Sequence, residues 1–224
     1  MENGVLDWLL DWLLDLIYPP RCMICHRLLD YGEREICSAC DDTLPEYDGA
    51  DPKVRFCERC VVTFYYDGTF RASFLRFKFS GLRQYAGRYG KWMAVTIRDK
   101  LAGQFDLITY APVSRKRRKE RGYDQSELLC RAVAQELGMQ ALTTLEKRTD
   151  TSAQSTLHEY SARVANVSGV YAPVEPGTFA GKRVLLIDDI VTTGATLSEC
   201  CRVLLTAGAK SVVCAALATR CGLE

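Results

Sequence analysis

The chain alternates short apolar runs with longer amphipathic stretches. The apolar runs are rich in β-branched and aromatic side chains and too short for helices, so they predict strands near residues 61–66, 106–113, 142–147, 184–187 and 210–217. Helical spacing fills the stretches between most of them: residues 70–100 with a break near Ser80-Gly81, residues 127–137 ending at Gly138, and a segment from Leu197 onward. Alternating strands and helices predict an α/β fold with a parallel sheet.

An amphipathic helix is also predicted at residues 4–17. Asp7, Asp11 and Asp15 lie on one acidic stripe, and apolar side chains cover most of the remaining circumference. Three roles for this wide apolar face stay open: packing on the chain's own domain, contact with a partner subunit, or binding to a membrane surface. The acidic stripe disfavours the last, because anionic lipid would repel it. Tyr18-Pro19-Pro20 ends the helix.

Two carboxylates and a run of small hydroxyl residues follow the strand predicted at 184–187. Asp188 and Asp189 come first, and the run then reads Thr192, Thr193, Gly194, Ala195, Thr196 before helical spacing resumes. A strand-to-helix turn offers free backbone N–H groups and the positive end of a helix dipole, which together bind anions. Acids beside such a turn suggest a sugar phosphate with vicinal hydroxyls. A plain capped turn would explain one threonine and the glycine, but not the acid pair.

A dense basic segment follows the strand predicted at 106–113. It contains Ser114, Arg115, Lys116, Arg117, Arg118, Lys119 and Arg121. A nuclear-localisation signal or a solvated face would give a similar run. Ligands of α/β sheets bind where strands end, however, and clustered arginines suit a pyrophosphate. The helices starting near Asp124 and Gly194 are expected to share that crevice.

Charge is distributed unevenly along a nearly neutral chain. Residues 1–54 carry 4 basic and 12 acidic side chains, residues 55–121 carry 16 and 5, and residues 122–224 carry 9 and 11. The middle block therefore faces a polyanion. Its cations alternate with Phe70, Phe74, Phe77, Phe79 and other aromatics, a pattern that can bind single-stranded DNA by charge and stacking. The competing interpretation is an amphipathic helix pair with its aromatics buried.

Eleven cysteines in 224 residues point to a metal. Cys22/Cys25 and Cys37/Cys40 form two C-x-x-C knuckles, which supply four thiolates for a closed structural zinc site and predict about one zinc per chain. Cys57/Cys60 form a third knuckle without a partner pair. They could replace one of the first two pairs, since their spacing from Cys37/Cys40 is also allowed, or bind metal with help from outside, and are therefore candidate additional ligands. About 40 residues with few large apolar side chains cannot build a core alone, so the metal would stabilise the fold.

The chain lacks the marks of export and of membrane insertion. Asp7, Asp11 and Asp15 interrupt the N-terminal apolar run, so it does not resemble a signal peptide. No apolar stretch is long enough to span a bilayer. An odd cysteine count without an export signal indicates a reducing compartment, and the expected location is the cytoplasm.

The motifs resemble a known family. The stretch Val-Leu-Leu-Ile-Asp-Asp-Ile-Val-Thr-Thr-Gly-Ala-Thr is similar to the phosphoribosyl-pyrophosphate (PRPP) motif of type I phosphoribosyltransferases. The knuckles, Ala-Pro-Val-Ser-Arg-Lys-Arg, Arg-Gly-Tyr-Asp-Gln and the series Arg148, Thr151, Gln154, Arg163, Asn166 resemble the ComF family of competence-associated proteins. Relatives often carry another cysteine pair before the last knuckle, and often have Asn at the position of Asp124.

The resemblance implies a fold and a set of roles. It implies a type I phosphoribosyltransferase-like parallel sheet flanked by helices over residues 61–224, behind an N-terminal helix and zinc module at residues 1–60. Asp188 and Asp189 would hold the ribose hydroxyls of PRPP as catalytic residues, residues 192–196 its 5′-phosphate, and Ser114, Arg115, Lys116, Arg117 and Arg121 its pyrophosphate with Mg²⁺. The polar segment 148–166, with Arg148, Gln154 and Arg163, is expected to be a lid that excludes water.

Two functions remain open from the sequence. One is an enzyme that transfers phosphoribosyl groups; nearby carboxylates and metal-bound phosphate would stabilise the charge that develops as pyrophosphate leaves. The other is a factor for DNA uptake in natural transformation, which binds single-stranded DNA or a helicase-like competence protein and uses the PRPP site as a sensor or scaffold. Both can hold together.

Overall fold

A four-stranded parallel sheet forms the centre of the fold. The computed structural model describes residues 19–148 and 169–220. The sheet strands are β1 (Arg59–Tyr65), β2 (Leu107–Tyr110), β5 (Arg183–Val191) and β6 (Ser211–Thr219), in the order β1-β6-β5-β2. β3 (Leu145–Lys147) and β4 (Tyr171–Pro173) pair antiparallel in a separate two-stranded sheet.

Helices connect the strands. They are α1 (Ser38–Asp41), α2 (Gly68–Phe79), α3 (Tyr85–Leu101), α4 (Arg115–Arg121), α5 (Gln125–Glu136) and α6 (Ala195–Thr206), with a 3₁₀ turn at Pro176–Thr178. The predicted α/β class and parallel sheet are therefore confirmed. The break predicted near Ser80-Gly81 separates α2 from α3, and Gly81 has a φ of 74°, which favours glycine.

Side chains of each central strand alternate between two apolar clusters. Leu185 and Ile187 of β5 pack into one cluster with α3 and α5, whereas Val184 and Leu186 pack into the other with α6. All four are fully buried. A strand covered by helices on both faces needs a continuous apolar run, and this is the pattern at residues 184–187.

Three strand predictions need correction at their ends. The strand predicted at 106–113 ends at Tyr110. β5 does not stop before the acid pair but runs to Val191, because Asp188, Ile190 and Val191 pair with β6. The strand predicted at 142–147 is present only at Leu145–Lys147, outside the parallel sheet. Leu142 instead donates its N–H to the carbonyl of Ile108, at the edge of the main sheet.

The cysteine-rich segment packs on the same core. Met23, Ile24 and Ile36 are buried in the cluster that contains α2 and α3. Arg76 of α2 donates hydrogen bonds of 2.9 Å to the carbonyl of Met23 and 2.6 Å to that of Ile24. The module thus shares its apolar core with the first helix pair. The N-terminal helix predicted at 4–17 lies outside the described residues, and no helix in the described part is long and apolar enough to cross a membrane.

Candidate functional site

Two aspartates lie near the carboxyl end of β5, at the edge where parallel sheets bind ligands. Asp188 is buried, and its Oδ1 accepts hydrogen bonds from Ser126 Oγ (3.0 Å) and from the N–H of Asp189 (2.8 Å). Burial, together with the charge of Asp189, raises the pKa of Asp188 well above its ordinary value. The site therefore holds a carboxyl whose charged form is costly until a partner donates hydrogen bonds to it.

Lys78 of α2 pairs with the second aspartate. Its Nζ lies 3.0 Å from Asp189 Oδ2, and both side chains are partly buried. Sequence analysis grouped Lys78 with the basic, aromatic middle segment and missed this contact. The two residues are 111 positions apart, so no local pattern could reveal it.

The hydroxyl-rich segment forms the turn from β5 into α6, as predicted. A pocket here is lined by Asp188 and residues 190–197. Gly194, at the N-cap of α6, has a φ of 71° and no side chain to cap the helix, and Thr193 Oγ1 accepts from the N–H of Ala195 at 3.4 Å. A plain capped turn, the alternative to an anion site, would account for this bond. The first turn of a helix also leaves backbone N–H groups that can bind an anion.

The basic segment begins at the carboxyl end of β2, on the same edge of the sheet. Ser114 is buried and caps α4, accepting from the N–H of Arg117 at 3.3 Å. Ser114 and Arg115 line a cleft of ≈ 250 Å³ together with Glu146, Lys147 and Arg148. Lys116 is exposed and Arg117 is half-buried. Lys147 is a further cation at this cleft that sequence analysis did not select.

Arg121, at the end of α4, turns toward the acid pair. It donates a 2.9 Å hydrogen bond to Gln125 Oε1 and lies 5.3 Å from the ring centre of Phe79. Burial lowers the pKa of Arg121, while the negative charge of Asp189 raises it. Arg121 is therefore the residue of the basic segment that the charge of Asp189 reaches, while the cleft at Ser114 and the pocket at the turn into α6 are lined by different residues.

Asp124 connects the end of β2 to α5. Its carboxylate accepts from the N–H of Val113 at 2.8 Å and from the N–H of Glu127 at 3.2 Å, so it also caps the helix. Burial raises the pKa of Asp124 to about 6. Together with the contact of Ser126 with Asp188, this N-terminus of α5 contacts both the segment after β2 and the acid pair on β5, two strands that pair directly with each other.

Only the start of the predicted lid lies in the described part of the chain. Arg148 donates its N–H to the carbonyl of Val170 at 2.9 Å and its Nε to Glu146 at 3.1 Å, beside the cleft. Gln154 and Arg163 lie outside the described residues.

The first two cysteine knuckles come together. The sulfur atoms of Cys22, Cys25, Cys37 and Cys40 all lie within 4.8 Å of one another. Cys25 Sγ and Cys37 Sγ are 3.8 Å apart. A tetrahedral zinc with Zn–S bonds of about 2.3 Å has sulfur–sulfur edges of about 3.8 Å. The cluster therefore fits a structural zinc, with Cys57 and Cys60 placed elsewhere.

The aromatic side chains of the middle segment mostly face inward. Phe70, Phe74, Phe77 and Tyr89 are fully buried, whereas Phe79 is 65% exposed. The amphipathic helix pair is thus the arrangement found, and of Phe70, Phe74, Phe77 and Phe79 only Phe79 is exposed.

Comparison with known proteins agrees with this architecture. A family model for a phosphoribosyl transferase domain matches residues 124–222, and a double zinc ribbon domain matches residues 13–72. "DNA utilization protein YhgH" of Escherichia coli K12 is 35% identical over 48% of this chain and 46% of that protein, so the match spans about half of that relative's length.

Two competence proteins align over more of the chain. "Competence protein ComFC" of Streptococcus pneumoniae R6 is 32% identical over 66% of this chain and 63% of that protein. "Competence protein F" of Haemophilus influenzae Rd is 25% identical over 86% of this chain and 93% of that protein. A solved glutamine PRPP amidotransferase from B. subtilis aligns with 22% identity and a TM-score of 0.42, over 60% of this chain and 26% of that one. This structural similarity is too low to support an argument. The domain pair and these relatives identify the chain as a member of the ComF family: a phosphoribosyltransferase-type domain behind a cysteine-rich zinc module.

Proposed function

We propose that this chain binds PRPP with Mg²⁺ at the crevice between β2 and β5 and acts as a phosphoribosyltransferase. The observation that carries the proposal is the hydrogen bond from Ser126 to Asp188, which joins the N-terminus of α5 to the acid pair. Around this contact, the acidic sugar site, the anion-binding turn and the arginine-rich helix α4 lie at one edge of the sheet. A ligand with a diol and a phosphate at either end matches that arrangement.

In this proposal the acid pair holds the ribose. Asp188 and Asp189 accept hydrogen bonds from its 2′- and 3′-hydroxyls, and the hydroxyl protons compensate the cost of the buried charge on Asp188. Their negative charge also favours a transition state in which the ribose becomes positive. Both carboxylates are already oriented, Asp188 by Ser126 and Asp189 by Lys78, so little ordering remains when the ligand binds.

The two phosphate groups take the two remaining parts of the crevice. The 5′-phosphate accepts from the backbone N–H groups and hydroxyls of residues 192–196, where the dipole of α6 adds to the attraction. The pyrophosphate lies on Ser114, Arg115, Lys116, Arg117 and Arg121, with Lys147 and Arg148 beside it. Asp189 is the more accessible carboxylate of the pair and would offer an oxygen ligand to a Mg²⁺ ion bound with the pyrophosphate. That cation would neutralise charge on the leaving group.

Calorimetry with PRPP tests this function. With Mg²⁺ present we expect saturable binding to the whole protein, and at least about tenfold weaker binding for Asp188→Asn and for Asp189→Asn, because each removes a charge-assisted hydrogen bond. Asp99→Asn is the matched control: it is an exposed carboxylate on α3, near the opposite edge of the sheet, and should bind as wild type. Absence of PRPP binding in the wild type contradicts the proposal.

A second candidate function is binding of single-stranded DNA by α4. Its Lys116, Arg118 and Lys119 are exposed, and Phe79 is exposed next to Arg121. Cations that follow a phosphate backbone beside one stacking ring are the elements of sequence-independent binding. The names of the relatives, which refer to competence and DNA utilization, agree with this role.

Salt dependence tests the DNA site. Each phosphate contact on a single strand contributes about 0.7 to the slope of log affinity against log salt, so Lys116→Gln with Lys119→Gln should lower the slope by about 1.4. Lys210→Gln, an exposed lysine at the start of β6, should leave it unchanged. A slope that is unchanged in the double variant would place any DNA elsewhere on the protein.

We also propose that the zinc module and the phosphoribosyltransferase domain divide near residue 60. β1 begins at Arg59, and the carbonyl of Pro45 accepts the N–H of Tyr65 at 2.7 Å. The module thus lies along the free edge of β1. Such an edge contact supports a module that orders with the domain.

A further inference from the structure

A second group of four cysteines lies between the third knuckle and the sheet. Cys57 precedes β1, Cys60 lies in β1, Cys201 in α6 and Cys214 in β6. Cys60 and Cys214 are register partners on adjacent parallel strands. Cys60, Cys201 and Cys214 are almost fully buried, and Cys57 is partly exposed at the surface. The group therefore has one open side.

The four cysteines lie in one part of the core. Cys201 Sγ and Cys214 Sγ are 3.5 Å apart. Cys60, Cys201 and Cys214 belong to one apolar cluster, and Cys57 packs against it. Among the described residues, Cys22, Cys25, Cys37 and Cys40 are the one group whose sulfurs already lie close enough to hold a metal ion, all within 4.8 Å of one another. Metal binding by the second group would draw its sulfurs together to edges of about 3.8 Å.

The cysteine count of the zinc-ribbon segment supports such a site. Residues 13–72, which match a double zinc ribbon, contain six cysteines, and two closed four-cysteine sites require eight. The first four form the compact cluster. Cys57 and Cys60 then lack two ligands, and Cys201 and Cys214 lie against them.

We propose that Cys57, Cys60, Cys201 and Cys214 form a second zinc site, completed by two ligands from the phosphoribosyltransferase-type domain. Four thiolates make a closed, soft-ligand tetrahedron, which selects zinc and leaves no position for catalysis. A buried thiolate group is also costly unless a cation neutralises it. The proposal does not depend on PRPP binding.

A zinc ion at this second site would also hold in place a segment that packs beside the anion-binding turn. Residues 53–55 lie on the start of α6: Arg55 donates its N–H to Ser198 Oγ at 2.9 Å. A Cβ added at Gly194 would meet the carbonyl oxygen of Lys53 at 3.1 Å. A metal that joins Cys57 to Cys201 therefore fastens this segment to the helix whose N-terminus carries residues 192–196.

Zinc stoichiometry of the full-length protein, purified under reducing conditions, tests the proposal. Elemental analysis should return about two zinc ions per chain in the wild type, and about one in Cys57→Ala and in Cys214→Ala. Cys200→Ala is the matched control, because Cys200 is equally buried and adjacent to Cys201 in sequence, and it should keep both ions. One zinc in the wild type, or two in both ligand variants, overturns the proposal.

Cobalt substitution is a second test, which applies if a variant of a buried cysteine fails to fold. Cys37→Ala removes a ligand of the first cluster, so intense thiolate-to-Co²⁺ absorption in that variant must come from the second group. We expect this absorption to disappear when Cys57→Ala, at the partly exposed position, is added. A Cys201–Cys214 disulfide, detected as two missing thiols in the denatured wild type, would contradict the metal site.

Discussion

Ser126 Oγ donates a 3.0 Å hydrogen bond to Asp188 Oδ1, and this contact joins two halves of the crevice that are 62 residues apart in sequence. The donor is at the first turn of α5, whose N-cap residue Asp124 also binds the end of β2. The acceptor is buried on β5. One short segment thus sets the distance between the acidic and the basic parts of the site.

Removing this donor should weaken PRPP binding without unfolding the protein. In Ser126→Ala, Asp188 keeps the hydrogen bond from the N–H of Asp189 but loses the one that fixes its orientation. A hydrogen bond to a charged group contributes about 1.5–3 kcal/mol, so affinity should fall about tenfold or more. Calorimetry measures this affinity for PRPP. Ser126→Thr retains the hydroxyl and should recover most of the affinity; equal losses in both variants would contradict the role given to the hydroxyl.

The buried carboxyl of Asp188 should make stability depend on pH. Its pKa is raised in the folded protein, so the folded state keeps the proton to higher pH than the unfolded state does. Stability from this group is present at low pH and is lost as pH rises from about 4 through the folded pKa. Asp188→Asn carries no such charge.

Denaturant unfolding at pH 6 and pH 8.5 checks this sign. The stability of Asp188→Asn relative to wild type should increase between the two pH values, by about 1–2 kcal/mol. Asp99→Asn, which removes an exposed carboxylate, should show no such trend. A relative stability that falls with pH would mean that the charged form of Asp188 is favoured in the folded protein.

Local sequence patterns were sufficient for the parts of the site that lie on one strand or one turn. The apolar run before Asp188 indicated a strand covered on both faces, and the small hydroxyl residues after it indicated the turn into α6. The spacing of the first two knuckles indicated their cluster. In each case the deciding residues are neighbours in sequence.

The parts that were missed depend on contacts between distant segments. Lys78 reaches Asp189 from α2, whose buried phenylalanines share an apolar cluster with side chains of β5. β5 continues past the acids because β6 offers partners there. Leu142 and the neighbouring residues have a strand-like composition, yet pairing with β4 begins only at Leu145. Composition does not encode which partner a strand finds.

The pair of Lys78 with Asp189 should show energetic coupling. Lys78→Met removes the cation beside a partly buried carboxylate that already neighbours Asp188, and we expect a loss of about 1–3 kcal/mol. In the double variant Lys78→Met with Asp189→Asn the unpaired charge is gone, so part of that loss should be recovered. Chemical unfolding of the four proteins gives a coupling energy of about 1 kcal/mol or more; additive losses would show that the ion pair is not formed in solution.

The first cysteine cluster should be required for order in residues 20–45. Cys37→Ala removes one of four sulfurs, and we expect it to lose the zinc of this cluster. Met23, Ile24 and Ile36 then lose their fixed positions in the core, so limited proteolysis should cut this segment first. Cys130→Ala is the control, because Cys130 is buried in α5, away from both cysteine groups. Full zinc content in Cys37→Ala would contradict the cluster.

Alanine variants of two glycines with the same backbone φ angle can distinguish conformational strain from steric crowding at the anion-binding turn. Gly194 and Gly103 both have a φ of 71°, so alanine is strained at either position, by about 1 kcal/mol. A Cβ at Gly103 meets nothing within 4 Å, whereas one at Gly194 meets the Lys53 carbonyl at 3.1 Å and Val54 Cγ2 at 3.2 Å. Gly194→Ala should therefore lower the melting temperature further than Gly103→Ala does, and weaken PRPP binding as well, since the strained residue lies within the turn. Equal melting temperatures for the two variants would show that residues 53–54 do not pack on this turn in solution.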